Sequence, residues 1–272
     1  MPYEVTDFQT LMALESHGPD VFVGIGPAYP WGGLYGGQVV AQALRAACHT
    51  VDSDHLPHSL HAYFIRAGDT EEPIRFEVDR IRNGRSFVTR RVVARQSIGP
   101  ILNLSASFQI QEPEQSDAQT QSMPDVAGPE TLEPDDWGPI LSRRSVKVEK
   151  EGAHSTAWLK IAQEIGDDPI LQACGLAYAS DDIPTEAASL AHPRRPDPYH
   201  DAENYSDVFV GASLDHAIWF HRAGRHDEWV LHDFAGHGVT GARGLGIGQV
   251  YAADGLHLAT IAQEVLIREK KR

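Results

Sequence analysis

Apolar positions along this chain follow two rhythms. Residues 33–48, GLYGGQVVAQALRAAC, place Val39, Val40, Ala43, Leu44 and Ala47 at helical spacing, with Gly36-Gly37 opening the segment. Four segments with period-two alternation or β-branched runs come next, at 58–68, 73–84, 86–96 and 100–111. Turn signals such as Arg82-Asn83-Gly84 separate them. The pattern predicts one helix followed by an antiparallel meander. Residues 112–139 are acidic, proline-rich and poor in large apolar side chains, which reads as a linker.

The same order then returns. An apolar run over 169–180 predicts a second helix, and strands are expected at 208–224, 228–238, 241–255 and 256–268. Residues echo as well as order: SLHAYFIRAGD (59–69) against SLDHAIWFHRAGR (213–225), and GPILNLSASFQI (99–110) against DGLHLATIAQEVLI (254–267). Arg66 and Arg222 lie 156 residues apart, as do Gly99 and Gly255. Two markers at one offset point to an internal duplication. The expected class is α+β: an N-terminal repeat over 1–111, a linker over 112–139 and a C-terminal repeat over 140–272.

Composition narrows the function. The 272 residues carry a formal charge of -15 with 42% hydrophobic residues, as a soluble globular chain does. Nucleic acid is disfavoured as a partner, because its affinity rests on neutralising phosphates. The two cysteines, Cys48 and Cys174, have neither metal-ligand spacing nor a disulfide framework. MPYEVTDFQT has no basic region followed by an apolar run, so no signal peptide is expected, and no apolar run approaches the roughly 20 residues needed to span a bilayer. A cytoplasmic location is the expectation.

One local feature asks for chemistry. The apolar run ends GLAYASDD, so two carboxylates, Asp181 and Asp182, stand at the C-terminal end of a helix. That end carries partial negative charge and mildly disfavours Asp. Either the pair solvates a turn, or an acid is needed there. The predicted first-half helix has no matching acid, so the fold itself does not demand one.

Several blocks carry a resemblance. Tyr35-Gly36-Gly37-Gln38-Val39-Val40 matches an FGGQVV-type block, and His58 to Arg66 resembles an HSxHxYFxR segment. Ala179-Ser180-Asp181, Ser213-Leu214-Asp215-His216, Trp219-Phe220-His221 and Ala262-Gln263-Glu264 follow in order. From about Gly33 to Arg268 the sequence resembles the acyl-CoA thioesterase II, TesB-like family. The resemblance implies a double hotdog, in which each repeat is a long helix packed on a curled antiparallel sheet. It also implies a catalytic set of Asp181, Ser213 and Gln263, an acyl-CoA substrate, no cofactor and no metal. A homo-oligomer, dimer or larger, is expected by analogy.

The chemistry suits those residue types. A thioester is already activated, so a positioned water suffices if a base takes its proton and a donor holds the carbonyl. Asp181 would be that base, its pKa raised by the negative potential of the helix end. Ser213 and Gln263 would hold the water. Backbone N–H groups around Gly37 and Gln38, at a helix N-terminus, are the expected oxyanion donors. At the 156-residue offset Gln263 matches Ser107, so the first half lacks the set and one site per chain is expected.

Other candidates have plainer readings. Asp182 reads as an exposed neighbour. Asp215 and His216 adjoin on a strand and point to opposite faces, which favours structural roles such as a strand-end hydrogen bond. Six histidines lie between 216 and 257, without HExxH or Cys-His spacing for a metal. Gly211 to Asp215 lacks the second glycine of a GxSxG elbow. Gly244-Leu245-Gly246-Ile247-Gly248 runs into a strand, so it reads as strand or bulge and not as a dinucleotide loop. Arg66, Arg85, Arg90, Arg91 and Arg243 would meet coenzyme A phosphates or line a solvated sheet face. The segments 182–212 and 112–160 would form lids or acyl-pocket walls.

Two other functions stay open. An enoyl-CoA hydratase on the same fold would need a DxxxxH helix motif, and no His lies among Ile183 to Leu190. A non-catalytic acyl-CoA binding or sensing protein would carry the same residues.

Overall fold

The computed structural model describes residues 5, 7–135, 138–197 and 204–271. A short helix α1 (Phe8–Met12) and strands β1 (Glu15–Ser16) and β2 (Val21–Gly24) lead to helix α2 (Gly36–Cys48). The meander follows as β3 (His55–Phe64), β4 (Ile74–Asn83), β5 (Phe87–Gln96) and β6 (Gly99–Ile110). The later residues form β7 (Leu141–Glu149), β8 (His154–Ile161), helices α3 (Pro169–Ala179), α4 (Ile183–Leu190) and α5 (Tyr205–Val208), then β9 (Phe209–Ser213), β10 (Asp215–Phe220), β11 (Val230–Thr240), β12 (Arg243–Ala252) and β13 (His257–Glu269).

All strands join one antiparallel sheet in the order β1-β2-β4-β5-β6-β3-β10-β13-β12-β11-β8-β7, with β9 also on β13. β3 and β10 form the seam, with Ala62 opposite His216 and Ser59 opposite Trp219. Outward from the seam the order is the same on both sides: β6-β5-β4-β2-β1 and β13-β12-β11-β8-β7.

The helix α2 is buried on nearly every face because it is enclosed by β3 to β6 and by α3. Val40, Ala43 and Leu44 are fully buried, and each such Val or Leu contributes about 1.5–3 kcal/mol. Its two buried amides donate to nearby groups, while Gln38 Oε1 has no hydrogen-bond partner among the described residues. Gln38 Nε2 donates to Gln42 Oε1 at 3.3 Å, and Gln42 Nε2 donates to Leu11 O and Ile25 O at 2.9 and 2.8 Å. The pair therefore ties α2 to the N-terminal segment.

The second half departs from one long helix. α3 packs mainly on α2, with a few contacts to β3 and β8, whereas α4 covers β11, β12 and β13. The break falls at Asp181-Asp182, and Pro184 stands in the first turn of α4, where its missing N–H costs nothing. Close approach of α4 explains Gly236 of β11 and Gly244 and Gly246 of β12. A Cβ on Gly246 would lie 2.6 Å from Pro184 O, and one on Gly236 would strike Ala187 O. The Gly244 to Gly248 run is thus strand, with Gly244 and Gly246 against the helix and Gly248 against the Phe234 ring. The expected lid over 182–212 is corrected at its start, where α4 is a buried packing element. Residues 198–203 of that segment lie outside the described residues.

The strand expected over 208–224 is divided at Leu214. There the backbone changes partners: Leu214 N–H donates to Glu264 O at 2.9 Å, and Leu214 O accepts from Phe64 N–H at 3.0 Å. Asp215 fills the gap, its carboxylate accepting from Glu264 N–H at 2.9 Å. Strands β7 and β8 carry no alternation that reveals them. Most of β8 is buried, so it reads as a continuous run. One side of it is capped by residues of the 112–139 stretch: Met123, Val126 and Leu132 pack on Trp158, Leu231 and Tyr251, and Trp158 Nε1 donates to Ala127 O at 2.9 Å. Among the described residues no helix is long and apolar enough to cross a membrane.

Candidate active site

The end of α3, the kink between β9 and β10, the middle of β13 and the start of α2 converge on one carboxyl group. Asp181 is 8% exposed. Its Oδ1 accepts from Ser213 Oγ at 2.8 Å, and its Oδ2 accepts from Gly37 N–H at 3.1 Å. Gln263 Nε2 donates to Ser213 Oγ at 3.0 Å and reaches Thr185 Oγ1 at 3.4 Å. The fold therefore brings together Asp181, Ser213 and Gln263, which are spread over 83 positions of sequence.

Local structure explains the convergence. Leu214 sends its carbonyl to β3, and this turn leaves Ser213 at the end of β9, opposite Val265. Gln263 stands two residues earlier on β13, fully buried. Ser180 closes α3, with its N–H donating to Leu176 O at 2.9 Å, so Asp181 is the first residue past the helix. Across from it, α2 begins with two glycines. A Cβ on Gly36 would lie 2.5 Å from Asp181 Oδ2 and 3.0 Å from the Phe64 ring, and one on Gly37 would strike Tyr178 O. Only a chain without side chains at both positions lets α2 approach α3 here.

The pKa of Asp181 is pushed up to about 6. Burial is the main cause, and the charge of Asp182 adds to it. The donors Ser213, Gln263 and Gly37 oppose the shift, Ser213 and Gly37 through direct hydrogen bonds and Gln263 from behind Ser213. Burial thus replaces the helix-end potential expected from sequence as the principal cause. A carboxyl group poised near 6 is ionised at neutral pH yet basic enough to take a proton.

Asp182 is the clearest correction. Its side chain is 6% exposed, and Arg143 Nη1 donates to Asp182 Oδ2 at 3.1 Å. The same guanidinium holds Glu186 through Nη2 at 3.1 Å and lies 3.1 Å from Asp135. The charges separate the roles of the two acids: Asp182 is paired with Arg143, while Asp181 accepts from neutral donors.

The expected oxyanion donors are both engaged. Gly37 N–H serves Asp181, and Gln38 N–H donates to Tyr35 O at 3.1 Å. The side chain of Gln38 faces Gly26 and Gln42. Beside the start of α2 lies an aromatic group that sequence reasoning did not single out. Tyr29 stacks on Trp31 with centroids 4.8 Å apart, Tyr35 meets Tyr178 edge-on at 5.1 Å, and the Tyr29 and Tyr178 hydroxyls are 3.1 Å apart. Trp31 is 52% exposed, so this cluster reaches from Asp181 to solvent.

His216, expected to be structural, adjoins the site. It is buried, with Nδ1 against Gln263 Oε1 and Nε2 2.8 Å from Ser180 Oγ. In the first half, His58 Nε2 lies 2.8 Å from Ser107 Oγ, with no amide between. The arginines divide by environment. Arg90 is buried and donates to Thr50 Oγ1, Thr50 O and Arg82 O, so it braces the end of α2 and is neither a phosphate ligand nor a solvated residue. Arg91 and Arg243 pair with Asp79 and Glu264. Arg66 donates to Pro100 O.

Comparison with known proteins places this chain in a family. A family model described as acyl-CoA thioesterase N-terminal domain matches residues 26–109, and one described as acyl-CoA thioesterase matches residues 130–266. Acyl-CoA thioesterase 2 of Haemophilus influenzae is 34% identical, covering 86% of this chain and 87% of that protein. The crystal structure of acyl-CoA thioesterase II TesB2 from Mycobacterium marinum is 32% identical, covers 97% of this chain and 99% of its own, and superposes with a TM-score of 0.83. An Alicyclobacillus acidocaldarius protein described as having a hot dog fold superposes at 0.79 over 97% of this chain and 98% of its own, and at 20% identity it shows the fold alone. The fold is a hotdog fold, and the chain belongs to the TesB-like acyl-CoA thioesterase II family.

Proposed function

We propose that this protein hydrolyses acyl-CoA to a free fatty acid and coenzyme A, with Asp181 as the base that activates water. The observation that carries the reading is the donor set around one buried carboxyl group near pKa 6: Ser213 and Gly37 directly, and Gln263 behind Ser213. Asp181 takes the proton of the water, and Ser213 and Gln263 fix its line of attack. Addition of hydroxide to the thioester carbon gives a tetrahedral oxyanion, and collapse expels the coenzyme A thiolate, which takes the proton back from Asp181, so the base is regenerated and no covalent enzyme intermediate forms. The carbonyl oxygen is received at the start of α2, where it competes with Asp181 for the Gly37 N–H, with the backbone around Gln38 alongside. The cluster of Tyr29, Trp31 and Tyr35 forms the wall for the acyl chain or the pantetheine arm.

In this reading residues 1–111 and 140–272 are two tandem hotdog repeats joined by 112–139, with the second central helix divided into α3 and α4. Tyr63 on β3 and Trp219 on β10 stay exposed near the seam, as an interface between copies in a homo-oligomer requires.

Release of free thiol from a panel of acyl-CoA esters, wild type against Asp181→Ala, tests the function. No release on any ester overturns the thioesterase reading. Unimpaired release by Asp181→Ala overturns the site. Gly37→Ala is a poor probe of the oxyanion donor, because its Cβ meets Tyr178 O.

A further inference from the structure

His216 is enclosed, and its ring touches two polar groups. Nδ1 meets Gln263 Oε1, and Nε2 lies 2.8 Å from Ser180 Oγ. Burial alone does not require such partners: His232 is equally buried, and neither of its ring nitrogens has a hydrogen-bond partner. Burial holds the His216 pKa down to about 4, so at neutral pH the ring has one N–H and one lone pair.

The place of that single proton sets the direction of the whole chain of hydrogen bonds. With the proton on Nδ1, Gln263 presents its carbonyl to His216 and its NH2 to Ser213 and Thr185. Ser213 Oγ then accepts from Gln263, and its own proton goes to Asp181. Asp181 receives two donors, which suits a carboxylate. With the proton on Nε2, the amide of Gln263 must turn over. Its carbonyl then takes the Ser213 proton, and Ser213 offers Asp181 only a lone pair. That arrangement is satisfied by a protonated Asp181, which is no base.

The carboxylate end of the chain supplies the bias. An ionised Asp181 only accepts, so Ser213 donates to it, Gln263 turns its NH2 to Ser213 and Thr185, and its Oε1 is left facing Nδ1. Ser180 works the other way: its one proton goes to Ala177 O at 2.9 Å, and the proposed tautomer requires that proton to turn to His216 Nε2, 2.8 Å away. We propose that His216 is a positioning residue whose Nδ1–H holds the Gln263 amide in the orientation that lets Ser213 donate to Asp181. The role rests on the thioesterase reading for its effect on turnover, but the ring tautomer is a property of the folded chain alone.

Two measurements test it. Asn places an amide NH2 near the position of Nδ1, and Gln places it near Nε2. His216→Asn is expected to keep kcat within about tenfold of wild type, while His216→Gln loses on the order of 100-fold in kcat with KM nearly unchanged. Equal kcat losses in the two variants, or a loss seen in KM, overturn the proposal. The second measurement is the 15N spectrum of the imidazole in the wild-type protein. It needs neither turnover nor a variant that folds, so it stands even if no ester is hydrolysed. A protonated Nδ1 and a bare Nε2 are expected, and the opposite tautomer overturns the proposal.

Discussion

Ser213 and Asp181 share a 2.8 Å hydrogen bond in which the hydroxyl donates to Oδ1, joining a strand end to a helix end 32 residues away. The bond lowers the Asp181 pKa against the larger effect of burial, which leaves it at about 6. If Asp181 is the base, turnover falls as pH drops through about 6, because the protonated acid cannot accept from water. Ser213→Ala removes a stabiliser of the carboxylate, so the acid limb moves to higher pH as kcat falls on the order of tenfold or more. A kcat/KM profile between about pH 4 and pH 8 checks both. A limb that stays in place in Ser213→Ala means another group titrates.

The same shift predicts how stability depends on pH. The folded pKa, about 6, lies above the ordinary carboxylate value of 3.8, so the folded state holds this proton more tightly than the unfolded chain does. The stabilising contribution is full below about pH 4 and is lost as pH rises through 6. Between those limits the wild type is expected to lose about 2–3 kcal/mol from this group, a loss that Asp181→Asn escapes. Urea unfolding of both proteins at the two ends of the range gives the difference. Parallel pH dependences would show that Asp181 is not held in its protonated form by burial.

Arg143 gathers Asp182, Glu186 and Asp135 around one guanidinium that is 13% exposed. Burial alone would lower its pKa, but the neighbouring Asp182 and Glu186 override that and hold it above the usual value. Arg143→Met takes the countercharge away from two shielded carboxylates, for an expected loss of about 3–5 kcal/mol. Adding Asp182→Asn and Glu186→Gln is expected to restore much of it, since the uncompensated charges go too. Thermal unfolding of the single and triple variants measures the recovery. A triple variant as unstable as the single one would assign the loss to packing.

The meander of the first half was legible because one face of each strand is wet: β5 alternates buried Val88, Arg90, Val92 and Ala94 with more exposed residues. β8 was not legible, since both of its faces are covered and the alternation disappears. Asp181 is marked locally, as a carboxylate at the end of an apolar helix, whereas Ser213 and Gln263 are legible only through family motifs. What sequence could not supply was the environment. Asp182 reads as solvated because Arg143, 39 residues earlier, is invisible to a local pattern. His216 reads as a strand residue because its partners, Ser180 and Gln263, arrive from two other elements. The division at Leu214 has no turn residue to announce it, and it follows from competition between β3 and β13 for one backbone.

Gly246 offers a test of how the packing of α4 supports the site. It sits opposite Gln263 in the register of β12 and β13, and its open side faces the first turn of α4. An added Cβ would lie 2.6 Å from Pro184 O and 3.2 Å from Pro184 Cα, both backbone atoms that no rotamer change can move aside. Gly246→Ala must therefore push α4 away from the sheet. Thr185, in that first turn, then withdraws from Gln263 Nε2, now 3.4 Å away. Overpacking of this kind costs about 1–3 kcal/mol, and roughly 2–4 °C of melting temperature accompany each kcal/mol in a chain of this size. kcat is expected to fall as well, with the Gln263 amide less well held. Gly33→Ala serves as the control: its nearest neighbour would be 4.0 Å away, so the melting temperature is expected to stay unchanged. If Gly246→Ala melts like wild type, the approach of α4 to β12 is looser than the geometry here, and the support it gives Gln263 falls with it.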